Sequence, residues 1–416
     1  YAFGPPCKPV RKRLRMDTAA DFPMFYRYLF IPKPIRRAAI MTRKTRGSLI
    51  NSKDVNIVHT VAKTSRNLFL LGIDRLTKMD KSHRKQWILD IIKFQSSLMA
   101  IDVLSFSVMS NHMHQMLRDR PDVVRAWSNH EVARRWLTLC PKSRKRLKIG
   151  KFTHYIPIPP TTAQIDELAN DAKQILKIRE QLSSISWWMR LLCQKVAQRA
   201  NKEDGGGLGP LWKGRFHATL VDDVKYSLSC SLYIDLNAME ANISKSIDDY
   251  EYTSAKLRLD MLRAQQSPKE ARAGEADESV GTEVANSSGE SGVSKQDKLV
   301  PIPRITRWEF LSAVKITALS HQPELHTQGF RCSDKGFLDI TVEEYLDVLQ
   351  WCIKNKFAQT ENEKPGGVPE VLSRHKLDAQ EVFEKADKFG DIFRYRTSSP
   401  CKEKPEKASC ESPPTG

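Results

Sequence analysis

Two histidines separated by one residue are the first feature of the sequence that could do chemistry. His112 and His114 flank Met113 and follow a hydrophobic run at residues 104–109, which is typical of a buried β-strand. On a strand, side chains at i and i+2 point to the same face, so the two imidazoles project together. Such a pair can share one divalent metal ion, or it can be two half-exposed polar positions of a sheet without a function.

A tyrosine and an asparagine one helical turn apart form the second candidate group. Tyr233 and Asn237 lie within residues 223–242, which are predicted to form a helix. Residues at i and i+4 share a helix face, so the phenol oxygen and the amide oxygen can approach one point. An amide oxygen suits magnesium or manganese better than zinc. Taken alone, the pair could also be structural, with Tyr233 as a half-buried aromatic residue and Asn237 as a polar residue at the end of the helix.

Tyr226 is the rival candidate for a nucleophile. It precedes Tyr233 by seven residues and therefore lies on nearly the same helix face. We favour Tyr233 because only this tyrosine has an asparagine four residues later.

The elements that must position these residues follow a mixed pattern. Four segments have the composition and alternation of strands: residues 55–61, 103–109, 112–117 and 214–221. Five segments have helical periodicity: residues 78–99, 121–139, 162–182, 185–201 and 223–242. Ser110 and Asn111 form a turn that joins the second and third strands into a hairpin. The sequence therefore predicts an α+β fold with a sheet and packed helices.

The charge of the chain indicates a polyanionic partner. Its 416 residues include 67 Lys and Arg against 49 Asp and Glu, which gives a formal net charge of +18. This excess favours nucleic acid as the partner. The apolar runs are too short for a bilayer-spanning helix, so a transmembrane protein is excluded. The eight cysteines lack metal-site spacing and are predicted to be reduced thiols in a cytoplasmic protein.

Several cationic and histidine side chains can be interpreted either as functional or as structural. Four cations near predicted strand ends could contact DNA phosphates or be simply solvated: Lys63, Arg66, Lys213 and Arg215. The basic stretch at residues 142–151 could follow a DNA backbone or be an ordinary solvated charge run. His59 and His217 could lie near a metal ion, although single histidines on strands are usually structural.

Three segments, in order, resemble the single-tyrosine HUH transposases. They read SVMSNHMH at residues 107–114, WKGRF at residues 212–216 and YIDLN at residues 233–237. Within that family they are most similar to the REP-associated tyrosine transposases, which are linked to repetitive extragenic palindromes. The resemblance spans about residues 49–245, and the ordered set is far more specific than any one segment.

The resemblance implies an HUH fold of the ferredoxin/RRM-like type, with an antiparallel sheet flanked by helices. It implies that His112, His114 and Asn237 hold a divalent metal ion, Mg²⁺ or Mn²⁺, and that Tyr233 is the catalytic nucleophile. Tyr233 would become joined to the 5′ phosphate of DNA and leave a free 3′ hydroxyl. Because the phosphotyrosine bond retains the energy of the phosphodiester, a 3′ hydroxyl could reverse the step without ATP.

Two features depart from the family pattern. Ala238 follows the motif asparagine where related sequences commonly have proline. The separation of His114 from Tyr233 is about twice that of compact relatives, because of a helical insertion at about residues 120–205. An insertion that loops out from the sheet edge need not disturb the site.

The sequence thus favours a metal-dependent DNA transposase that cleaves and rejoins single-stranded DNA next to hairpins or palindromes. One alternative is a domesticated DNA-binding protein of the same fold without cleavage. The other is a replication-initiator or relaxase-like nickase, which would usually carry a helicase, whereas the sequence has no phosphate-loop signature. A nucleoid-associated cytoplasmic location is expected. A homodimer is possible, but the sequence does not determine the oligomeric state.

Composition divides the chain into five parts. A basic disordered leader, within which Met41 is a candidate start of translation, precedes the HUH-like domain, a linker, a small mainly helical accessory domain and a disordered tail. Their bounds are residues 1–48, 49–245, 246–300, 301–400 and 401–416. The accessory domain has helical patterns at residues 308–319 and 341–353.

Overall fold

An antiparallel sheet organises the fold. The structure is a computed structural model, and it describes residues 53–74, 77–149, 152–206, 209–221, 224–240, 246–266, 308–316, 324–326, 328–361 and 367–392. The strands of these residues are β1 (Ile57–Lys63), β2 (Ile101–Val108), β3 (His112–Asp119), β4 (Arg144–Ile149), β5 (Phe152–Pro157) and β6 (His217–Leu220). Four of them form the main sheet in the order β2-β3-β1-β6, and β4 and β5 form a separate ribbon.

Helices cover both faces of this sheet. In the described residues they are α1 (His83–Ser96), α2 (Pro121–Ala126), α3 (Asn129–Leu139), α4 (Thr162–Ala169), α5 (Ala172–Leu182), α6 (Ile185–Glu203), α7 (Val224–Glu240), α8 (Ser254–Gln266), α9 (Val342–Glu361), α10 (Glu370–Arg374) and α11 (Ala379–Ile392). The predicted α+β class, with an antiparallel sheet and flanking helices, is therefore confirmed. Among the described residues, no helix has the length and apolar character needed to cross a membrane.

The alternation of β3 decides which face carries the histidines. Met113 and Leu117 belong to an apolar cluster that also contains residues of α1 and α6. Met116 belongs to a different cluster, which contains residues of α7. Because successive side chains of a strand point to opposite faces, His112 and His114 lie on the α7 face together with Met116.

Two predicted helices are each divided by a capping residue. The predicted helix at residues 121–139 ends and restarts at Ser128, whose hydroxyl accepts a hydrogen bond from the backbone N–H of Glu131. The predicted helix at residues 162–182 restarts at Asp171, whose carboxylate accepts from a backbone N–H three residues later. These side chains accept hydrogen bonds from backbone N–H groups in the first turn of a new helix. The hydrophobic periodicity of the sequence does not reveal such a helix start.

Two other segments differ from their predicted structure. The helical pattern at residues 308–319 does not give a helix in its described part, residues 308–316, where Leu311 instead forms a β-bridge with Val103. The insertion at about residues 120–205, predicted to be helical, also contains the paired strands β4 and β5. The predicted leader at residues 1–48, the linker residues 267–300 and the tail at residues 401–416 lie outside the described residues.

A buried carboxylate ties the C-terminal region to the sheet. Asp102 on β2 accepts hydrogen bonds from Arg118 and Arg120 on β3 and from the hydroxyl of Ser333. Arg118 also donates to the backbone oxygen of Gly336. Burial alone would raise the pKa of Asp102, but the two guanidinium groups hold it below its usual value. The carboxylate and the two guanidinium groups therefore connect the main sheet to Ser333 and Gly336 in the C-terminal region.

A second buried carboxylate fixes α7, the helix that carries Tyr233. Asp235 accepts hydrogen bonds from the Ser254 hydroxyl at 2.6 Å, the Ala255 N–H at 3.1 Å and the Tyr345 hydroxyl at 2.6 Å. Arg258 of α8 lies 3.9 Å away. Burial raises the pKa of Asp235, and Arg258 opposes this rise. Asp235 therefore joins α7 to both α8 and α9.

Replacing Asp235 by alanine is expected to lower the free energy of unfolding by about 3–5 kcal/mol. The substitution leaves Arg258 buried without its anion and removes the acceptor of three donors. Urea denaturation measures the change. Asp248→Ala is the matched control, because Asp248 is exposed and pairs with Lys256 and Arg263 at the surface, where a loss within about 1 kcal/mol is expected. Equal losses in the two variants would contradict the anchoring role.

Candidate active site

The two histidines of the sequence motif lie side by side at the start of β3. Their ring centroids are 4.9 Å apart. Burial, followed by the charge of Lys63, lowers the pKa of His112 to about 4. Burial and the neighbouring His112 hold the pKa of His114 well below its usual value. Both imidazoles are therefore neutral at pH 7, which is the form that can bind a metal ion.

A third histidine supports His114 from the neighbouring strand. His59 on β1 lies with its Nε2 atom 2.9 Å from the Nδ1 atom of His114, and the two rings are stacked with centroids 5.2 Å apart. Burial lowers the pKa of His59 to about 3. The hydrogen bond occupies Nδ1 of His114 and leaves its Nε2 as the nitrogen available to a ligand. His217, the other strand histidine of the sequence analysis, is exposed at the start of β6.

Tyr233 projects from α7 onto these histidines. Its ring meets His114 edge to face with centroids 5.4 Å apart, and it meets His59 in the same way at 6.0 Å. The structure thus brings together a tyrosine and a histidine that are 119 positions apart in the sequence. This contact places the phenol beside the proposed metal ligands.

Asn237 joins the same group through two hydrogen bonds. Its Nδ2 atom donates to the backbone oxygen of Tyr233 at 2.6 Å, which holds the amide against its own helix. A second side-chain hydrogen bond links Asn237 to His112 and partly opposes the fall in the pKa of that histidine. All four residues proposed for catalysis and metal binding therefore lie in one cluster, for which we use the term HHYN site: His112, His114, Tyr233 and Asn237.

The rival tyrosine lies elsewhere along the helix. Tyr226 precedes Tyr233 by two turns, which is roughly 10 Å at the rise of an α-helix. Its buried ring contacts the ammonium of Lys385, which lies 4.5 Å from the ring centroid. Of the two tyrosines, Tyr233 is therefore the one placed against the histidines.

Helix α11 forms a wall of the HHYN site that sequence reasoning missed. The ring of Phe389 stacks on Tyr233 with centroids 5.4 Å apart and meets His59 at 5.6 Å. At Gly390, a Cβ atom would lie only 2.7 Å from the hydroxyl oxygen of Tyr233, so glycine is what permits this approach. No sequence motif links residues 379–392 to the tyrosine, and only the packing reveals the contact.

The four predicted DNA-binding cations lie exposed near the ends of two strands. Lys63 is opposite His112 in the pairing of β1 with β3, and its backbone oxygen accepts a hydrogen bond from the N–H of Lys213. Arg66 lies three residues beyond Lys63, and Arg215 lies two residues beyond Lys213. The structure thus brings Lys63 and Lys213 to the end of the sheet that holds His112.

The donor set of the HHYN site fits a divalent metal ion. Two neutral imidazoles lie side by side, and a side-chain amide is hydrogen-bonded to one of them, so nitrogen and oxygen ligands are both present. In the part of the chain that the structure describes, no group of three or more His, Cys, Asp or Glu residues is arranged to hold a metal ion. A metal at this site would therefore depend on the amide of Asn237 as its third protein ligand.

Comparison with models of protein families and with curated proteins finds no match to this chain. A solved structure described as a REP-associated tyrosine transposase bound to a REP hairpin is similar to it, with 14% sequence identity and a TM-score of 0.28. The similarity covers 61% of this chain and 100% of that chain.

Proposed function

We propose that this protein is a DNA strand transferase of the HUH type that uses Tyr233 as its nucleophile. The observation that carries the proposal is the edge-to-face contact of Tyr233 with His114, at 5.4 Å between ring centroids. A phenol beside two neutral imidazoles and an amide combines a nucleophile with ligands for a divalent ion. Among common side-chain sets, this one suits attack on a phosphodiester.

Each residue of the HHYN site has a role in the proposed reaction. The Tyr233 oxygen attacks phosphorus as its proton leaves, a bond from that oxygen to the 5′ phosphate forms, and the bond to the 3′ oxygen breaks. The departing 3′ oxygen takes up a proton and becomes a hydroxyl. His112, His114 and Asn237 would hold a divalent ion, Mg²⁺ or Mn²⁺, which when bound supplies charge neutralisation at the phosphate. A 3′ hydroxyl can later attack the phosphotyrosine and release Tyr233.

The surrounding charge suits a nucleic-acid substrate. Lys63 and Lys213 are exposed at the histidine end of the sheet and are not paired with a carboxylate among the described residues. The whole chain carries a formal net charge of +18. Exposed cations can neutralise phosphates and release condensed counterions. The proposed substrate is single-stranded DNA next to a hairpin or palindrome.

One observation favours the alternative of a DNA-binding protein without cleavage. Phe389 and Gly390 of α11 pack directly on the ring and the hydroxyl of Tyr233. A phosphate that approaches from this side must displace α11 before it reaches the nucleophile. If α11 stays in place on DNA, the protein binds its substrate without reacting.

The direct test is incubation of the full chain with hairpin-bearing single-stranded oligonucleotides and either Mg²⁺ or Mn²⁺. A denaturing gel is expected to show a protein–DNA adduct that survives detergent and heat and that protease removes. The labelled end identifies the 5′ phosphate as the site of attachment. Absence of an adduct with every hairpin and both metals would favour the binding protein.

His59 is expected to control the metal affinity of the site through His114. His59→Ala removes the partner of His114 Nδ1, and loss of such a supporting hydrogen bond typically lowers metal affinity by about 10- to 100-fold. Titration with Mn²⁺ followed by electron paramagnetic resonance measures this affinity without requiring turnover. His59→Gln, which retains an acceptor, is expected to recover part of the loss.

The control for this experiment is His130→Ala, because His130 is on α3 with a side chain that is 64% exposed. Its Mn²⁺ affinity is expected to equal that of the wild type. Wild-type affinity in His59→Ala would show that His114 does not need the hydrogen bond.

A further inference from the structure

The insertion carries a two-stranded ribbon that has no role in the proposed reaction. Among the described residues, β4 and β5 pair only with each other, in a small antiparallel sheet separate from the main one. Residues 142–148 are all exposed, and five of these seven residues are lysine or arginine. A ribbon with so many exposed cations buries little apolar surface, so burial alone does not explain its composition.

The cations of β4 follow the alternation of the strand. Arg144, Arg146 and Lys148 lie on one face, because side chains two residues apart point the same way. Lys145 and Leu147 lie on the other face, next to Ile156 of β5. The ribbon therefore has one face with a continuous row of positive charge and a second face of mixed character.

Among the described residues, no carboxylate neutralises the row of cations on β4. Arg144, Arg146 and Lys148 form no ion pair with a carboxylate among the described residues. Exposed cations that merely raise solubility are usually interspersed with acidic residues. Residues 142–148 contain no acidic residue. An external polyanion is the partner that such a surface fits.

We propose that the basic face of this ribbon binds the backbone of duplex DNA, such as the stem of a hairpin. Successive cations on the face are about 6.8 Å apart, which is about twice the roughly 3.4 Å rise that separates successive phosphates of one strand along the axis of a duplex. Two of the three are arginines, whose planar groups bind phosphate oxygens in pairs. A two-stranded ribbon also has the width that a DNA major groove, about 12 Å wide, admits.

The base of the ribbon lies beside α3, because Lys142, Ser143 and Ile158 line a small cavity together with Leu137 of that helix. It follows α3, and residues of α3 and α6 belong to the apolar cluster on the sheet face away from α7. Its contact is therefore distinct from the contact made by the scissile phosphate. The inference rests on DNA being the substrate, and it adds a separate site for the double-stranded part of that substrate.

The test compares two double substitutions that remove the same charge. Arg144→Gln with Arg146→Gln alters the ribbon, and Lys173→Gln with Lys177→Gln alters two exposed cations of α5 in the same insertion. Fluorescence anisotropy at several salt concentrations measures binding of a labelled DNA hairpin, a single strand and an RNA hairpin. Labelled polyglutamate serves as the probe for an acidic protein.

The ribbon variant is expected to bind the DNA hairpin roughly 10- to 100-fold more weakly near 0.1 M salt. Its slope of log K against log salt should fall by about 2, since two phosphate contacts are lost. The affinity of the ribbon variant for the single strand should be within about twofold of the wild-type value. The affinity of the α5 control for the hairpin should also be within about twofold of the wild-type value. Circular dichroism checks that both variants are folded, which is expected because all four side chains are exposed.

Three results would overturn the inference: an equal loss in the α5 control, an unchanged salt slope, or a loss confined to polyglutamate or to the RNA hairpin. The measurement requires no cleavage. Failure of the wild type to form an adduct would contradict the proposed reaction alone, whereas an unaltered hairpin affinity in the ribbon variant would contradict the ribbon site alone.

Discussion

Tyr233→Phe is expected to abolish both the covalent DNA adduct and strand joining. The substitution removes one oxygen and retains the ring that packs between His114 and Phe389. Without that oxygen no phosphotyrosine can form, and the two activities share this intermediate. DNA affinity should persist, and the free energy of unfolding should change by less than about 1.5 kcal/mol. Denaturing gels measure the adduct, and anisotropy measures the binding.

Tyr226→Phe is the matched control for this experiment. It removes the same oxygen from the same helix, two turns earlier, and it should leave adduct formation intact. If Tyr226→Phe is inactive while Tyr233→Phe still forms an adduct, the assignment of the nucleophile is wrong. The contact of Tyr226 with Lys385 would then mark the reactive position.

His114→Ala is expected to lower cleavage by more than about a hundredfold while DNA binding is retained. The substitution removes a proposed metal ligand, and a metal ion that polarises a phosphate contributes several kcal/mol to the transition state. Most of the affinity for DNA comes from exposed cations, which stay in place. Cleavage rates across a Mn²⁺ titration and hairpin affinity by anisotropy separate these two effects.

The same assay includes His112→Ala and Asn237→Ala, for which loss of cleavage is also expected. His130→Ala on α3 removes an imidazole from an exposed position and should behave as wild type. Undiminished cleavage in His114→Ala or His112→Ala would exclude the proposed ligand set. Loss of DNA binding in His114→Ala would instead indicate that the variant is misfolded, which urea denaturation would detect.

The local part of the HHYN site could be predicted because it depends on short spacings. His112 and His114 share a strand face by the period of two, and Tyr233 and Asn237 share a helix face by the spacing of four. The structure contains both features, on β3 and on α7. That the two pairs lie together followed in the sequence only from the family resemblance.

The supporting residues could not be predicted because their contacts depend on strand register and helix docking. His59 meets His114 only because β1 pairs with β3 in a register that sets the two on one face. Phe389 and Gly390 reach Tyr233 after more than 150 intervening residues, through an apolar cluster that α7 shares with α9 and α11. No local pattern in either segment specifies its partner.

By itself the sequence determined the α+β class, the positive charge and the candidate residues, since composition and side-chain periodicity act over only a few positions. The tertiary structure alone decided that His59 supports His114, that Asp235 fixes α7 and that α11 covers Tyr233. These arrangements arise because the hydrophobic effect packs together apolar helix and sheet faces that are far apart in the chain. Each buried polar side chain then takes the orientation in which it can hydrogen-bond to the polar group buried next to it.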